Sequence, residues 1–385
     1  MPRPILATIH TSSLRHNLQR ARMAGGDAKV WSVVKANAYG HGIERAFDGL
    51  RAADGFALLD LAEAERLRNL GWRGPILLLE GVFEPRDLEV CSRLNVWHVV
   101  HRTEQIDWLA AHKTQQPHRV FLKMNSGMNR LGFKPHAFRA AWHRLDALPQ
   151  VDEITLMTHF SDADGLRQGR EGVLYQVEAF AAATHDLPGE RSLCNSAATL
   201  RHALSVHLGD PSTSQALASD WVRAGIAQYG SAPDYPQRTA HDWGLEPTMT
   251  LSSELIAVQD VAAGETVGYG STYTATHDLR IGIVACGYAD GYPRHAPGGS
   301  DRAAPVLVNG VRTQLVGRVS MDMLAVDLTT PGRLHGVSQP GDEVILWGRS
   351  RHGAVLPVDE VAHAAGTISY ELLCAVAQRV PFAVE

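Results

Sequence analysis

Short apolar runs rich in β-branched residues recur through the first 230 residues, separated by amphipathic or Ala/Leu-rich stretches. The runs are VWSVV (30–34), GFALL (55–59), ILLLE (76–80), VWHVV (96–100), RVFLKM (119–124), ITLMTHF (154–160), SLCN (192–195) and VRAGIA (222–227). SLCN is the weakest strand signal of the eight. Among the stretches between them are LAEAERLRNLG (61–71), with Gly71 as its C-cap, and YQVEAFAAATHDL (175–187). Runs apolar on both faces read as parallel strands covered by helices. Eight strand–helix units in roughly 200 residues predict an α/β fold with a (β/α)8 TIM barrel. A doubly wound open sheet is the alternative.

The texture changes after residue 230. SAPDYPQRTAHDWGLEP (231–247) reads as a linker. Strand-like runs follow at 248–261, 280–288, 304–320, 324–329 and 342–348, broken by the turns AAGE (262–265), APGGSD (296–301) and NG (309–310). This predicts a mostly β C-terminal domain, with helices from VDEVAHAAG (358–366) and ISYELLCAVAQ (368–378). PILATIH (4–10) reads as a strand that pairs with the second domain. The expected division is therefore an N-terminal strand in 1–10, a barrel in 11–232 and a β domain in 233–385.

A chain of 385 residues has room for two domains with sizeable cores. Its formal charge of −5 and 20% charged residues ask for neither nucleic acid nor an anionic membrane. No run approaches the ~18 apolar residues of a membrane helix, and the N-terminus shows no signal-peptide pattern. The four cysteines, Cys91, Cys194, Cys286 and Cys374, form no CxxC pair. They read as buried free thiols in a reducing cytoplasm. The 19 histidines include no HExxH, so no metal site is expected.

In a TIM barrel the chemistry sits at the C-terminal ends of the strands. Those ends carry Lys35 after the first strand, Lys123 at the fifth and His159 at the sixth. Asn195 and Ser196 follow the seventh, and Arg223 lies in the eighth with Gly225 and Ile226 just beyond. A lysine held in a barrel mouth becomes less basic through desolvation and nearby cations, and a neutral amine forms a Schiff base with a carbonyl. The plain alternative is a lysine snorkelling into solvent. His159 by itself reads as a satisfied core histidine. Ser196 and the backbone of GIAQYG (225–230) offer donors to a phosphate. A Schiff-base lysine beside a phosphate cradle suggests pyridoxal phosphate. Arg223 cannot give a proton to the pyridine nitrogen at ordinary pH. The ring would be a weaker electron sink, which favours a proton swap over elimination or transamination.

Nine motifs carry a resemblance. They are VVKANAYGHG (33–42), LKMNSGMNRLGF (122–133), MTHF (157–160), NSAAT (195–199), VRAGIAQYG (222–230), VGYGSTY (267–273), GYADGYPR (287–294), GRVSMD (317–322) and SYE (369–371). In this order they resemble the bacterial alanine racemases across nearly the whole chain. The resemblance implies a cytoplasmic enzyme that uses pyridoxal 5′-phosphate to interconvert L-alanine and D-alanine, for peptidoglycan supply or for breakdown. It implies a head-to-tail homodimer in which each site is completed by the partner's C-terminal domain. Lys35 then resembles the cofactor-bearing lysine and the base for D-alanine, and Tyr269 the opposite-face base for L-alanine. Arg223 resembles the pyridine-nitrogen arginine, with His159 hydrogen-bonded to it. Tyr39, Ser196, Gly225, Ile226 and Tyr370 resemble the phosphate contacts. Arg130 resembles the arginine near the cofactor phenol and the substrate carboxylate, and Met321 the residue whose backbone amide meets that carboxylate. Tyr288 and Arg318 resemble entryway residues, and Lys123 resembles a lysine carbamylated in many members. Asn125 stands where many members have Asp, so one charge is missing near Arg130. The competing readings are a non-catalytic pyridoxal-phosphate barrel protein, a two-domain amino-acid decarboxylase and a broad-specificity amino-acid racemase.

Overall fold

A computed structural model describes residues 3–114, 116–202, 219–299, 302–329 and 334–385. The last two residues of the turn run 296–301 lie outside that description. The chain divides into two compact units. One comprises Arg15–Ala38 and Gly42–Gln228. The other comprises Met1–Leu14, Tyr39–His41 and Tyr229–Glu385.

The first unit is the expected parallel barrel. Its strands, in chain order, are Lys29–Val33, Gly55–Leu58, Ile76–Leu78, Trp97–Val100, His118–Lys123, Val151–Met157, Arg191–Ser192 and Trp221–Ala224. Each pairs in parallel with its sequence neighbour from the first to the seventh, and the eighth returns to pair with the first. Backbone bonds from Asp220 to Arg191 and from Arg223 to Cys194 bring the seventh and eighth strands together, so the barrel is nearly closed. The seventh strand holds only two residues, which fits its weak apolar signal.

Side chains on a strand alternate between faces, and four aromatic positions fix which face is inside. Trp31 stacks on Trp221 at 4.3 Å and meets Trp97 and Phe121 edge-on at 5.5 and 5.9 Å. All four are buried. Burying rings of this size contributes on the order of 5 kcal/mol of transfer free energy each. This layer fills the barrel as a solid core.

The second unit is built on a nine-stranded sheet. Ile5–Ile9 runs antiparallel to Met249–Val261 and parallel to Phe382–Val384. Three of the four cysteines are buried as expected, but Cys374 is exposed. It follows Leu372 and Leu373, which occupy the inward face of the helix Ser369–Ala375, so it turns outward.

His98 follows Trp97 in the fourth strand and therefore leaves the barrel interior on the opposite face, where it is buried. Its Nε2 lies 3.3 Å from Nδ1 of His118, whose Nε2 lies 3.2 Å from the Ser92 hydroxyl. Burial, then the neighbouring ring, lowers His98 to about 3, and burial and His112 lower His118 to about 4. Both are neutral in the fold, while the unfolded chain takes up protons near 6.5. Their contribution is thus complete above 6.5 and shrinks as pH falls toward the folded values. By pH 5 His98 alone withdraws about 2 kcal/mol. Urea-unfolding midpoints should therefore fall steadily between pH 6.5 and 5, and less so in His98→Gln. A midpoint constant across that interval would contradict this account.

Candidate active site

The aromatic layer decides what occupies the barrel mouth. Lys123 is two residues beyond Phe121 on the fifth strand, and Arg223 is two beyond Trp221 on the eighth, so both share the inward face. Both are buried. Burial lowers Lys123 to about 7, and the nearby charges of Arg223, Arg130 and Lys35 push the same way, against a smaller opposing effect of Glu80. Burial lowers Arg223 to about 10, which leaves it a cation at neutral pH. The mouth therefore gathers Lys35, Lys123, Arg130 and Arg223.

Arg223 is held almost entirely by carbonyl oxygens. Nη1 donates to Ser192 O at 2.7 Å and to Ser192 Oγ at 2.8 Å, while Nη2 donates to Thr158 O at 2.8 Å and Leu193 O at 3.1 Å. Nη2 also lies 3.4 Å from His159 Nδ1. A guanidinium only donates, so Nδ1 is the acceptor and the imidazole carries its proton on Nε2. Burial and the surrounding cations keep His159 well below its ordinary range, and hence neutral. No carboxylate among the described residues pairs with Arg223. Its four terminal N–H positions are engaged, which leaves Nε–H for an acceptor on a ligand.

The segment after Lys35 folds against its own chirality. Ala36, Asn37, Ala38 and Tyr39 all have φ between +50° and +55°. Left-handed backbone costs about 1–2 kcal/mol for each such residue. Hydrogen bonds hold it there. Asn37 N donates to Glu63 Oε1 at 2.7 Å, and Asn37 Oδ1 accepts from Arg66 Nη2 at 2.8 Å and from Ile43 N at 3.2 Å. Glu63 and Arg66 lie on the helix Leu61–Asn69 and went unnoticed in the sequence. In the second unit, Tyr39 stacks on Tyr229 at 4.5 Å, with Tyr370 at 6.0 Å. Burial and Tyr370 push the Tyr39 phenol up, so it remains a donor. Gly40, at φ 79°, is required there, because a Cβ would stand 2.0 Å from Leu373 O.

Ser196 opens a short helix beyond the seventh strand. Its Oγ accepts from Gly225 N at 2.8 Å and from Ala227 N at 3.4 Å. A hydroxyl and amides from two strand ends thus meet at one point. Arg130 lies on the loop after the fifth strand, which closes through Asn125 N to Phe133 O and Phe133 N to Lys123 O, both 2.9 Å. Asn125 Oδ1 accepts from Gly127 N at 3.3 Å and Asn129 N at 3.0 Å. In this structure Asn125 shapes the loop as an acceptor, a task that needs no negative charge.

The remaining candidates belong to the second unit. Tyr269 occupies a one-turn helix, Tyr269–Ser271, and is 69% exposed. Arg318 Nη1 stands 2.9 Å from where a Cβ on Gly270 would lie. Tyr288 and Met321 sit on two loops joined by Tyr288 N to Ser320 O and Ala289 N to Met321 O, both 3.0 Å. Met321 is 53% exposed. Asp290, which follows Tyr288 in GYADG, was not singled out in the sequence. It is fully buried and accepts from Arg3, from Arg379 and from Gly287 N.

Comparison with known proteins matches residues 9–233 to the alanine racemase N-terminal domain and residues 248–384 to the alanine racemase C-terminal domain. The chain belongs to the alanine racemase family. An alanine racemase of Acidovorax sp. (strain JS42) is 69% identical over the full length of both chains, and one of Polaromonas sp. (strain JS666 / ATCC BAA-500) is also 69% identical over both full lengths. The solved structure of the biosynthetic alanine racemase from Pseudomonas aeruginosa superposes with a TM-score of 0.88 at 44% identity, covering 100% of this chain and 99% of that one. The alanine racemase from Acinetobacter baumannii gives a TM-score of 0.88 at 36% identity, covering all of both chains.

Racemases of this family use pyridoxal phosphate, and the residues present fit that group. Four cations meet a neutral histidine in a mouth with little opposing charge, which suits a phosphorylated anion. Arg223 offers Nε–H to a ring nitrogen, and the Ser196 hydroxyl, which accepts from Gly225 N and Ala227 N, offers its proton to a phosphate.

An amine near 7 is directly measurable. In the cofactor-free protein, 13C-methylated lysines should give one NMR resonance that titrates about three pH units below the surface lysines. Lys123→Met should remove that resonance. A spectrum in which every lysine titrates near its ordinary value would contradict the buried-cation picture.

Proposed function

We propose that this chain racemises alanine with pyridoxal phosphate held at Lys35, using Lys35 and Tyr269 as bases on opposite faces of the substrate. The observation that carries this reading is the environment of Arg223, a buried cation fixed by carbonyls and a neutral histidine. A cation at the pyridine nitrogen keeps that ring from taking a proton. When bound, the cofactor withdraws electrons from the substrate Cα and so loosens its proton. Lys35 accepts or returns that proton at Nζ on one face, and the Tyr269 phenol does so at its oxygen on the other. Arg130 holds the substrate carboxylate, together with the Met321 amide. Ser196, Gly225, Ile226, Tyr39 and Tyr370 hold the phosphate. Lys123, buried among cations and near neutrality, has the nucleophilic amine that carbamylation needs, and a carbamate there would pair with Arg130.

The same reading makes residues 11–232 the cofactor-binding domain and 233–385 the domain that completes a partner's site in a homodimer. The high exposure of Tyr269 and Met321 supports this, since residues with these roles need a second surface to become buried. No helix among the described residues is long and apolar enough to cross a membrane, and we place the enzyme in the cytoplasm. A decarboxylase needs an acidic partner for the ring nitrogen, and Arg223 occupies that place.

Proton NMR of L-amino acids in D2O with the cofactor-loaded protein tests the reading. Loss of the α-proton signal for alanine with a racemic product is the expected result. Loss across a panel would point to a broad racemase, and no exchange at all would sink the proposal. Tyr269→Phe should slow exchange from L-alanine by at least about 100-fold, more than from D-alanine, with bound cofactor unchanged. Lys35→Ala should lose the pyridoxyl label that borohydride fixes on the wild-type chain.

A further inference from the structure

We propose that Gln176, on the helix Leu174–Thr184, is a positioning residue that locks the strand-end loops carrying Arg130 and His159 into one rigid wall. The inference rests on the reading of Arg130 as the carboxylate-binding arginine.

Gln176 is a polar residue on a mostly apolar face. Val173, Val177 and Phe180 are buried around it, and Gln176 itself is 0% exposed. Burial of an amide is tolerated only when it is hydrogen-bonded, and this one engages both of its donors and its oxygen. Nε2 donates to His159 O and to Ser126 Oγ, both at 3.1 Å. Oε1 accepts from Ser161 N at 2.8 Å, and the Ser161 hydroxyl lies 3.1 Å away. The Ser161 amide fixes which end of the side chain is oxygen.

The bonds beyond it then have a single direction. Thr158 gives its one hydroxyl proton to Met124 O at 3.1 Å, so Ser126 Oγ, which accepts from Gln176, donates to Thr158 Oγ1 at 2.6 Å. The relay therefore ends on the backbone beside Lys123. It also passes through Thr158, whose carbonyl accepts from Arg223, and reaches the backbone of His159 directly. Aligned bonds of this kind strengthen one another in a low-dielectric interior.

A second contact makes the same join. Tyr175 precedes Gln176, and its ring lies against Gly127, where a Cβ would come within 2.5 Å. Its hydroxyl is 2.8 Å from Ser161 Oγ and donates to Asp162 Oδ2 at 3.1 Å. Two consecutive residues of one helix thus hold both loops, 126–127 after the fifth strand and 159–162 after the sixth. None of these groups needs to touch the substrate. Their effect is to keep Arg130 and the His159–Arg223 pair at a fixed separation.

The test uses the cofactor-loaded enzyme and propionate, a carboxylate that has no amine to react. Its dissociation constant is read from the change in absorbance of the bound cofactor, without turnover. Gln176→Met keeps the volume and removes every bond. Propionate should bind about tenfold more weakly, with cofactor content unchanged. Ser126→Ala breaks only the middle of the relay, disturbs the core less, and should weaken propionate about threefold. Arg130→Lys is the control and should weaken it at least as much as Gln176→Met. If both network variants melt at lower temperature yet bind propionate within about twofold of wild type, the role of Gln176 is structural and the proposal is wrong. If Arg130→Lys binds propionate as wild type does, the reading of Arg130 has failed, and this inference falls with it.

Discussion

The stacking of Trp31, Trp97, Phe121 and Trp221 inside the barrel is the constraint from which the site follows. A strand has only two faces. Once the heaviest side chain on a strand is committed to the interior, the residue two places on is committed as well. Phe121 commits Lys123, and Trp221 commits Arg223. The rings also seal the barrel beneath the site, so these cations meet a dry floor and open only toward the strand ends. A one-residue slip in either strand would expel the ring and the cation together. Core packing and site chemistry are therefore specified by the same register.

A mouth lined by Lys35, Lys123, Arg130 and Arg223 is costly in the absence of an anion. The depressed basicity of Lys123 and Arg223 expresses that cost, since burial disfavours both protonated forms and the neighbouring cations add to the effect at Lys123. The left-handed turn at 36–39 adds strain at the same place. Stability given up at a binding site is recovered when a ligand prefers the folded state, by an amount set by its concentration relative to its dissociation constant. An anionic ligand that seats here relieves repulsion as well as making contacts. The site is thus preorganised for charge of one sign before anything binds.

The barrel and the cations were legible in the sequence because both follow from short-range patterns. Parallel strands buried on both faces announce themselves as apolar runs, and the barrel architecture places their C-terminal ends on one side. Lys35, Lys123, His159 and Arg223 could be placed by that rule alone. Tyr269 could not. A tyrosine between glycines looks like a turn residue, and only the family motif separated it from one. The turn at 36–39 was equally hidden, because Ala and Asn carry no signal for four successive left-handed residues. Its cause lies in Glu63 and Arg66, some 25 residues downstream. Gln176 left a trace, as a polar residue on an apolar helical face, but the trace named no partner. Asn125 shows the opposite difficulty. Its departure from the family's aspartate suggested a lost charge, whereas its carbonyl oxygen is what the loop uses.

Functional loops are held by neutral and by charged contacts. In the barrel, neutral groups such as Gln176, Ser126 and Thr158 tie the loops after the fifth and sixth strands together, while Glu63 and Arg66 hold the turn after Lys35. Neutral hydrogen bonds beside Lys123 and Arg223 hold geometry without adding to the field that those cations create. In the second unit, the loop bearing Tyr288 is held through Asp290, a buried carboxylate shared by Arg3 and Arg379 from the two ends of the chain. Arg379 also reaches Asp322, next to Met321, at 2.6 Å. Removing Asp290 would leave two arginines facing each other, which is why a buried carboxylate of this kind is hard to replace. The exposed residues Tyr288 and Met321 are thus presented from a frame stiffened by ion pairs.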